Sequence, residues 1–575
     1  MVRAVLRSAG LKERRGRPVV RVIAAAALFV ATLLIASFNG HDPYDIVSGV
    51  YGSGLGQPAR DIAGLVPLLA ALVVALCVLR PRIGLLVVLL LTPVVNVAQI
   101  CWLIIPVQVI AQTIFSVALA VGLVLRDPQP APAVLRPGAE SPVVPAGWRS
   151  RVSLPVVAVA AMISMLTLAG LSTAMSPDRV LSATILLHGI LEPASMALFL
   201  LLVRPTKRYL VWMLVAMAVS VGIGGLLNIV QTVPAMGWSL SVLQTNRLYF
   251  SRLTYFNVGL FGEMLAMTTP FLLALLLAIR LGYCRLPRVV VAALVVTVPV
   301  DLASLFLTFS KSGYLAAFGG CVVLVLLLVG TRRNRIKILL AITMLSAVVI
   351  PWPAFFLQVV PPVNSAYRSA MVSLMGESRF DSWNPSTLSG RGSLLERWYA
   401  TEAGLRMAVD HPLLGIGLDQ FQGQYVGHYR PPEAKLAVDW AHSMFPEVAA
   451  ELGIPALLLD IILYGSAMLA LWRVYRAPPD QLTRTLASAL LASLVAWLLV
   501  GTAFAGDMYR PWRYMADDYV MMMVIAAASF SLYWMTKRET AVVAGAAEPT
   551  AEPTAEPTAD PTADPTAEPT ADSIS

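Results

Sequence analysis

The sequence has few charged residues and very few histidines and cysteines. Charged side chains make up 13% of its 575 residues, with five histidines and four cysteines. A soluble chain carries about 25% charged residues, so an ordinary soluble protein is excluded. Neither zinc-site nor disulfide-framework spacing is present among the cysteines, which are Cys77, Cys101, Cys284 and Cys321. We therefore predict no metal site and no cofactor.

The sequence also lacks a Walker phosphate-binding pattern, and no predicted cytoplasmic segment is long enough for a nucleotide-binding domain. ATP-driven chemistry within this chain is therefore not expected. The net charge of +9 is typical of a membrane protein with basic cytoplasmic loops, so it indicates no nucleic acid partner.

Long apolar runs make up most of the chain, of which 58% is hydrophobic. A run of about 20 apolar residues spans a bilayer as a helix. The class is therefore an all-α, polytopic integral membrane protein with about 14 transmembrane helices. The predicted spans are 22–38, 61–79, 83–101, 105–125, 154–174, 181–203, 209–229, 258–279, 289–309, 313–330, 338–358, 455–472, 486–504 and 519–536.

The basic residues predict the orientation of these helices. When alternate loops are assigned to opposite sides, one side receives 28 of the 42 lysines and arginines. Cytoplasmic loops carry the excess of lysine and arginine, so we expect both termini in the cytoplasm and a plasma membrane location. The long segment 359–442 then becomes an extracytoplasmic loop, and its Trp, Tyr, Gly, Arg and His content indicates a folded surface.

The composition divides the chain into four parts. Residues 1–251 are N-terminal transmembrane helices, and residues 252–465 are a core that includes the loop 359–442. Residues 466–538 are C-terminal transmembrane helices. Residues 539–575 carry AEPT and ADPT repeats, which have nothing to bury and predict a disordered acidic cytoplasmic tail.

Cations cluster around one histidine on the predicted outer face. Arg252 and Lys311 precede apolar runs, while Arg391 and Arg397 lie in the long loop ahead of His442. Arginine and lysine suit an anionic substrate such as a phosphate, and histidine titrates near neutral pH and can act as a general base. Considered singly, each cation is more typical of an interfacial anchor.

Three stretches together resemble the O-antigen ligase and O-antigen polymerase superfamily. They are "RLTYFNVGLFGEMLAMTTPFLLALLLA" at 252–278, "LTFSKSGYLAAF" at 307–318, and "RWYATEAGLRMAVDHPLLGIGLDQF" followed by "AHSMFPEVAAELGIPALLL". The two parts of the third stretch, with "DHPLLGIGLDQF" and "AHSMFPEVAAELGIP", are the most specific. The resemblance covers about 252–465. Gly415 and Gly417 within the third stretch are expected to shape a turn.

The resemblance implies a metal-independent, inverting glycosyltransferase of the cell envelope. Such an enzyme moves a glycan from an undecaprenyl-diphosphate-type carrier to a sugar hydroxyl, in surface polysaccharide polymerisation or ligation. His442 matches the family's base, Arg252 matches an arginine that holds the diphosphate, and Lys311 stands where the family has another arginine. The implied partners are the polyprenyl-diphosphate-linked glycan donor, the glycan acceptor and the lipid bilayer, and the resemblance is compatible with other polysaccharide-assembly proteins as partners.

Two alternatives stay open at this point. Polar residues within predicted spans, such as Asp301 and Asp460, are also typical of a transporter, here one for a polysaccharide or lipid-linked sugar. A transporter is expected to show internal repeats, and none is evident outside the tail. The lysine at position 311 is compatible with a non-catalytic relative.

Overall fold

The computed structural model describes residues 17–38, 56–101, 107–125, 153–236, 258–328, 373, 390–502 and 517–546. Every regular element within these ranges is helical, which confirms the predicted all-α class. Of the described helices, eight are long and apolar enough to cross a membrane. The chain is a multi-pass membrane protein, whereas the count of about 14 spans stays a prediction.

Four helices form the N-terminal part, and the second packs against the other three. The uncharged stretch 83–125, which the sequence analysis divides into two spans, does form two helices here. The four are α1 (Arg17–Phe38), α2 (Gly56–Leu79), α3 (Pro81–Cys101) and α4 (Val107–Val124).

The central helices follow the predicted apolar runs closely, with one irregularity. The predicted span 181–203 contains a π-helical turn, Leu186–Leu191, between two α-helical pieces. The central helices are α5 (Leu154–Met175), α6 (Arg179–Ile185), α7 (Glu192–Val203), α8 (Lys207–Met236), α9 (Val258–Arg280), α10 (Arg288–Thr308) and α11 (Lys311–Leu328). The predicted span 338–358 lies outside the described residues.

The segment 390–453, which includes the described part of the predicted loop 359–442, contains helices that pack around a small core of their own. It begins with α12 (Gly390–Asp410), continues through a short α13 (Phe421–Gln424) and a π-helical turn (Tyr425–Tyr429), and leads to α14 (Met444–Leu452). Three long helices follow, namely α15 (Ile454–Arg476), α16 (Gln481–Thr502) and α17 (Asp517–Ala546).

Small residues allow the central helices to approach closely. Helix α16 packs against both α9 and α11. A Cβ added at Gly320 in α11 would lie 2.9 Å from Ala496 Cβ in α16 and 2.9 Å from Pro270 Cγ in α9. Glycine and alanine at such contacts bring helix backbones together, which is the usual basis of helix association within a membrane.

Helix α14 connects two hydrophobic cores. Its Met444, Val448 and Leu452 belong to the large core of the helical bundle. Its Ala450 belongs to a smaller core with residues of α12 and the loop that follows it: Ala400, Ala403, Met407, Ile416, Phe421, Tyr425, Val438 and Ala441. The start of α14 is thus fixed from both sides.

Candidate functional site

A helix begins just after His442, and its first turn carries Pro446 and Glu447, residues typical of a helix start. Ser443 is the N-cap of α14 in an extended conformation, with Glu447 in the first turn. A carboxylate there favours the positive end of the helix. Gly453 separates α14 from α15, and Pro455 lies in the first turn of α15. His442 therefore directly precedes the N-cap of a short buried helix.

His442 has a left-handed backbone, with φ of +53°. This conformation costs a non-glycine residue roughly 1–2 kcal/mol and persists only where the surroundings hold it. Both polar backbone groups of the preceding residue, Ala441, are bound by buried side chains. Thr401 Oγ1 donates to the Ala441 carbonyl at 2.7 Å, and the Ala441 N–H donates to Glu447 Oε2. These two contacts fix the chain that presents the imidazole.

Helix α12 packs directly on this region. A Cβ added at Gly404 would lie 3.1 Å from Ala441 Cβ and 3.3 Å from Pro446 Cβ. Because a larger residue at Gly404 would meet the chain on either side of His442, the absence of a side chain there lets α12 approach closely.

The turn after α12 wraps around the far end of α14. The N–H groups of Ile416 and Gly417 donate to the carbonyls of Ala450 and Glu451, at 2.8 and 3.2 Å. Gly415 has φ of +66°, and a Cβ there would lie 2.3 to 2.5 Å from the backbone of the same two residues. The glycines therefore shape a turn, as the sequence pattern predicts.

Serines of α5 and α6 attach this turn to the membrane helices. Ser172 Oγ donates to the Glu451 carbonyl at 2.9 Å, and Ser182 Oγ donates to the Leu418 carbonyl at 2.6 Å. Ser176 lies next to Gly417, where a Cβ would lie 2.8 Å from its hydroxyl. No local sequence pattern marks these serines, since they lie more than 200 residues before their partners.

Buried glutamates bind backbone amides elsewhere in the loop. Glu396 accepts from the N–H groups of Lys435 and Leu436 at 2.9 and 3.1 Å. Glu451 Oε1 accepts from the N–H of Phe421 at 3.3 Å. These carboxylates satisfy amides that have no helical partner, and they hold the loop on α12 and α14.

Aromatic residues lie beside the histidine and within the loop. The Trp440 ring centroid lies 4.8 Å from that of His442. Burial raises the pKa of Tyr425 to about 12. Burial and the hydrogen bond to Asp410 also raise the pKa of Tyr429 to about 12. Neither phenol is suited to acid–base chemistry near neutral pH.

Arg397 lies on α12, the helix that packs against the chain before His442. Arg397 is half-buried and lies one turn before Thr401, on the side of α12 that faces the chain at Ala441. Arg391 lies six residues earlier, near the start of α12. Its side chain is outside the described part of the structure.

Lys311 is the first residue of α11. Ser310 caps this helix, since its Oγ accepts from the Gly313 N–H at 3.3 Å. The residue before the cap, Phe309, has φ of +48°. A Cβ added at Gly262 in α9 would lie 2.9 Å from Ser310 Cβ, so this turn is also fixed by close packing. The Lys311 side chain is outside the described part.

Lys311 and His442 lie at the same end of α16. Met444 contacts Gly501, where an added Cβ would lie 3.0 Å from Met444 Sδ. Gly320 of α11 contacts Ala496 of α16. Lys311 lies nine residues before Gly320, about 14 Å further along the axis of α11. The structure thus brings the starts of α11 and α14 to one end of the bundle. Arg252 lies outside the described residues, so its place is untested.

Residues 298–461 match the O-antigen ligase family model. The match includes both the α10–α11 turn and His442, so this part of the chain is similar to the O-antigen ligase family. Residues 545–574 match a model described as a PT disordered repeat. A comparison with curated proteins gave no match.

Proposed function

We propose that this O-antigen ligase-related membrane protein is a glycosyltransferase that moves a glycan from a polyprenyl diphosphate carrier to a sugar hydroxyl. The observation that carries the proposal is the placement of His442. Its backbone is held in a costly conformation by Thr401 and Glu447, at an end of the bundle shared with Lys311. Such conformations concentrate at functional sites.

His442 acts as the general base in the proposed reaction. Its imidazole takes the proton of the acceptor hydroxyl as the hydroxyl oxygen forms a bond to the anomeric carbon of the donor. The bond from that carbon to the diphosphate oxygen breaks, and the electron pair leaves with the polyprenyl diphosphate. Attack on the opposite face inverts the anomeric centre.

Cations stabilise the departing diphosphate. Lys311 stands at the first position of a helix, where free N–H groups and the helix dipole favour an anion. Arg397 on α12 belongs to the proposed set of diphosphate-binding residues, and Arg252 and Arg391 complete it. A diphosphate is a good leaving group, so charge stabilisation and one base are sufficient. The chemistry needs no metal ion.

The proposed setting is the outer face of the plasma membrane, with both termini in the cytoplasm. The lipid-linked donor is supplied within the bilayer, and the product enters a surface polysaccharide by polymerisation or ligation. This arrangement rests on the distribution of basic residues in the sequence.

Replacing His442 by alanine tests the proposal. General bases contribute about 10²- to 10⁴-fold, so H442A is expected to lower polymer synthesis by at least about a hundredfold. Carrier-linked glycan should accumulate while the protein level stays normal. The measurements are surface glycan and extracted lipid-linked intermediates in the native host.

His411 and His428 provide matched controls, because both are exposed and lie in the same loop. H411A and H428A should retain normal synthesis. Unchanged polymer in H442A, or equal losses in all three variants, would overturn the assignment of the base. Intermediates trapped on the cytoplasmic leaflet would instead identify a transporter.

A further inference from the structure

Helix α12 has two apolar faces, and α14 covers only one of them. Ala400, Gly404 and Met407 lie on the covered face. Leu405 and Val409 lie on the opposite side, and Val409 is 73% exposed. With about 100° of rotation per residue, the side chains of Leu405 and Val409 point about 130° and about 170° away from the covered face.

A polar strip separates the two faces along one edge. It consists of Glu402, Arg406 and Asp410, of which Arg406 donates to Glu402 Oε1 at 2.5 Å. Trp398 lies on the same side as Leu405 and Val409, one turn before the strip begins. Tryptophan and arginine flanking an exposed apolar stripe are typical of a helix that lies in a membrane interface.

The exposed face continues into a membrane-spanning helix. Leu413, in the turn after α12, is 71% exposed. The neighbouring Pro412 carbonyl accepts from the N–H of Ile454, the first residue of α15, at 2.8 Å. Ile454 and Leu458 are exposed one turn apart on α15, which is long and apolar enough to cross a membrane. Leu413 therefore borders a surface that faces lipid.

We propose that Leu405, Val409 and Leu413 form a membrane-contact surface that seats the second half of α12 in the outer boundary of the bilayer. Its occupant is the lipid of that leaflet, and isolated exposed leucines would carry no such meaning. Here the three side chains form one stripe continuous with the lipid-facing side of α15. This inference does not depend on the proposed chemistry.

The proposed lipid contact is tested by placing a photo-crosslinking side chain at Val409 or Leu413. The full-length protein is reconstituted into vesicles of phosphatidylethanolamine and phosphatidylglycerol. Leu436 is the matched control. It is also exposed, at 54%, but its N–H is bonded to Glu396, on the other side of α12 and about 20 Å along its axis from Val409. Lipid adducts, detected by mass spectrometry, are expected at about tenfold higher yield at Val409 and Leu413 than at Leu436.

Three results would overturn the proposal. They are equal lipid yields at all three positions, adducts to another segment of this chain, and adducts to a second copy. Since the three side chains are exposed, the labelled proteins should melt at the same temperature as the unlabelled protein. A label at Leu405 gives an independent reading on the same stripe.

Discussion

The membrane bundle and the loop at residues 390–453 satisfy their polar groups in different ways. In the bundle, hydroxyls mostly bond within their own helix, as Thr269 does to Leu265 and Ser493 to Ala489. In the loop, buried side chains bind backbone groups far away in sequence, and Thr401 and Ala441 are 40 residues apart. A helix forms the hydrogen bonds of its backbone N–H and C=O groups internally. An irregular segment depends for these hydrogen bonds on side chains from other parts of the chain. The comparison predicts that the loop is more sensitive to single substitutions than the bundle is.

Gly415→Ala is expected to have the largest effect. The added Cβ would meet backbone atoms of Glu451 and Ala450, which cannot move away, at a residue with positive φ. We expect a loss of about 3 kcal/mol in the stability of the loop. Limited proteolysis and thermal unfolding in detergent would measure it.

The control is Gly423→Ala in α13, where an added Cβ meets nothing within 4 Å. Its effect should stay within about 0.5 kcal/mol. Equal tolerance of both substitutions would contradict the close packing of the turn on α14.

Thr401→Val is expected to have an intermediate effect. It removes the hydroxyl that donates to the buried Ala441 carbonyl while keeping the shape of the side chain. The unpaired carbonyl should cost about 1–3 kcal/mol. Movement of His442 should lower turnover about tenfold, with a smaller change in KM for the donor.

Thr401→Ser keeps the hydroxyl and is expected to restore turnover. If valine and serine variants lose turnover equally, the hydrogen bond does not position His442. Turnover and unfolding would be measured on the same purified samples, which separates a displaced base from a general loss of folded protein.

Asp480→Asn in the bundle is expected to have the smallest effect. Asp480 accepts from Lys207 Nζ at 2.5 Å, and the same amine bonds Glu539 at 2.6 Å. Partial burial would raise the pKa of Asp480, but the hydrogen bonds from Lys207 and Thr483 outweigh it and hold this pKa below the ordinary value. The Asp480 side chain is 43% exposed, so we expect a loss below about 1 kcal/mol at pH 7.

The sign of the pH dependence follows from the lowered pKa. The stabilisation is present above the unfolded aspartate pKa of about 3.9, and it is lost as pH falls through the folded pKa. Thermal unfolding of the wild type and of D480N should therefore converge in acid. Glu402→Gln, in an exposed pair with Arg406, should change little at either pH. A constant gap between wild type and D480N would show that the ion pair is not its cause.

The apolar runs predict most of the bundle because hydrophobicity and length alone determine a membrane helix. The start of α14 is likewise predicted, because Pro446, Glu447 and Gly453 are local signals. The contacts that hold the site are different. Ser172 and Ser182 bind carbonyls more than 200 residues away, and no local pattern encodes such a pairing.

The second role of Glu447 cannot be predicted from the neighbouring sequence. The sequence indicates a helix-start carboxylate, whereas the structure shows that its oxygen also binds the Ala441 N–H. Glu396 resembles a solvent-exposed residue of an amphipathic helix, yet it is buried and binds two backbone amides. A buried glutamate becomes recognisable only when the distant amides that it binds are known.

The left-handed backbone at His442 has a consequence for variation at this position. Glycine adopts a φ of +53° without the cost that histidine incurs there. On stability alone, glycine is the better residue, and H442G is expected to fold at least as well as the wild type. If the imidazole is the base, stability and turnover are opposed at this one position. A selection for thermal tolerance without a demand for product would then remove the histidine first.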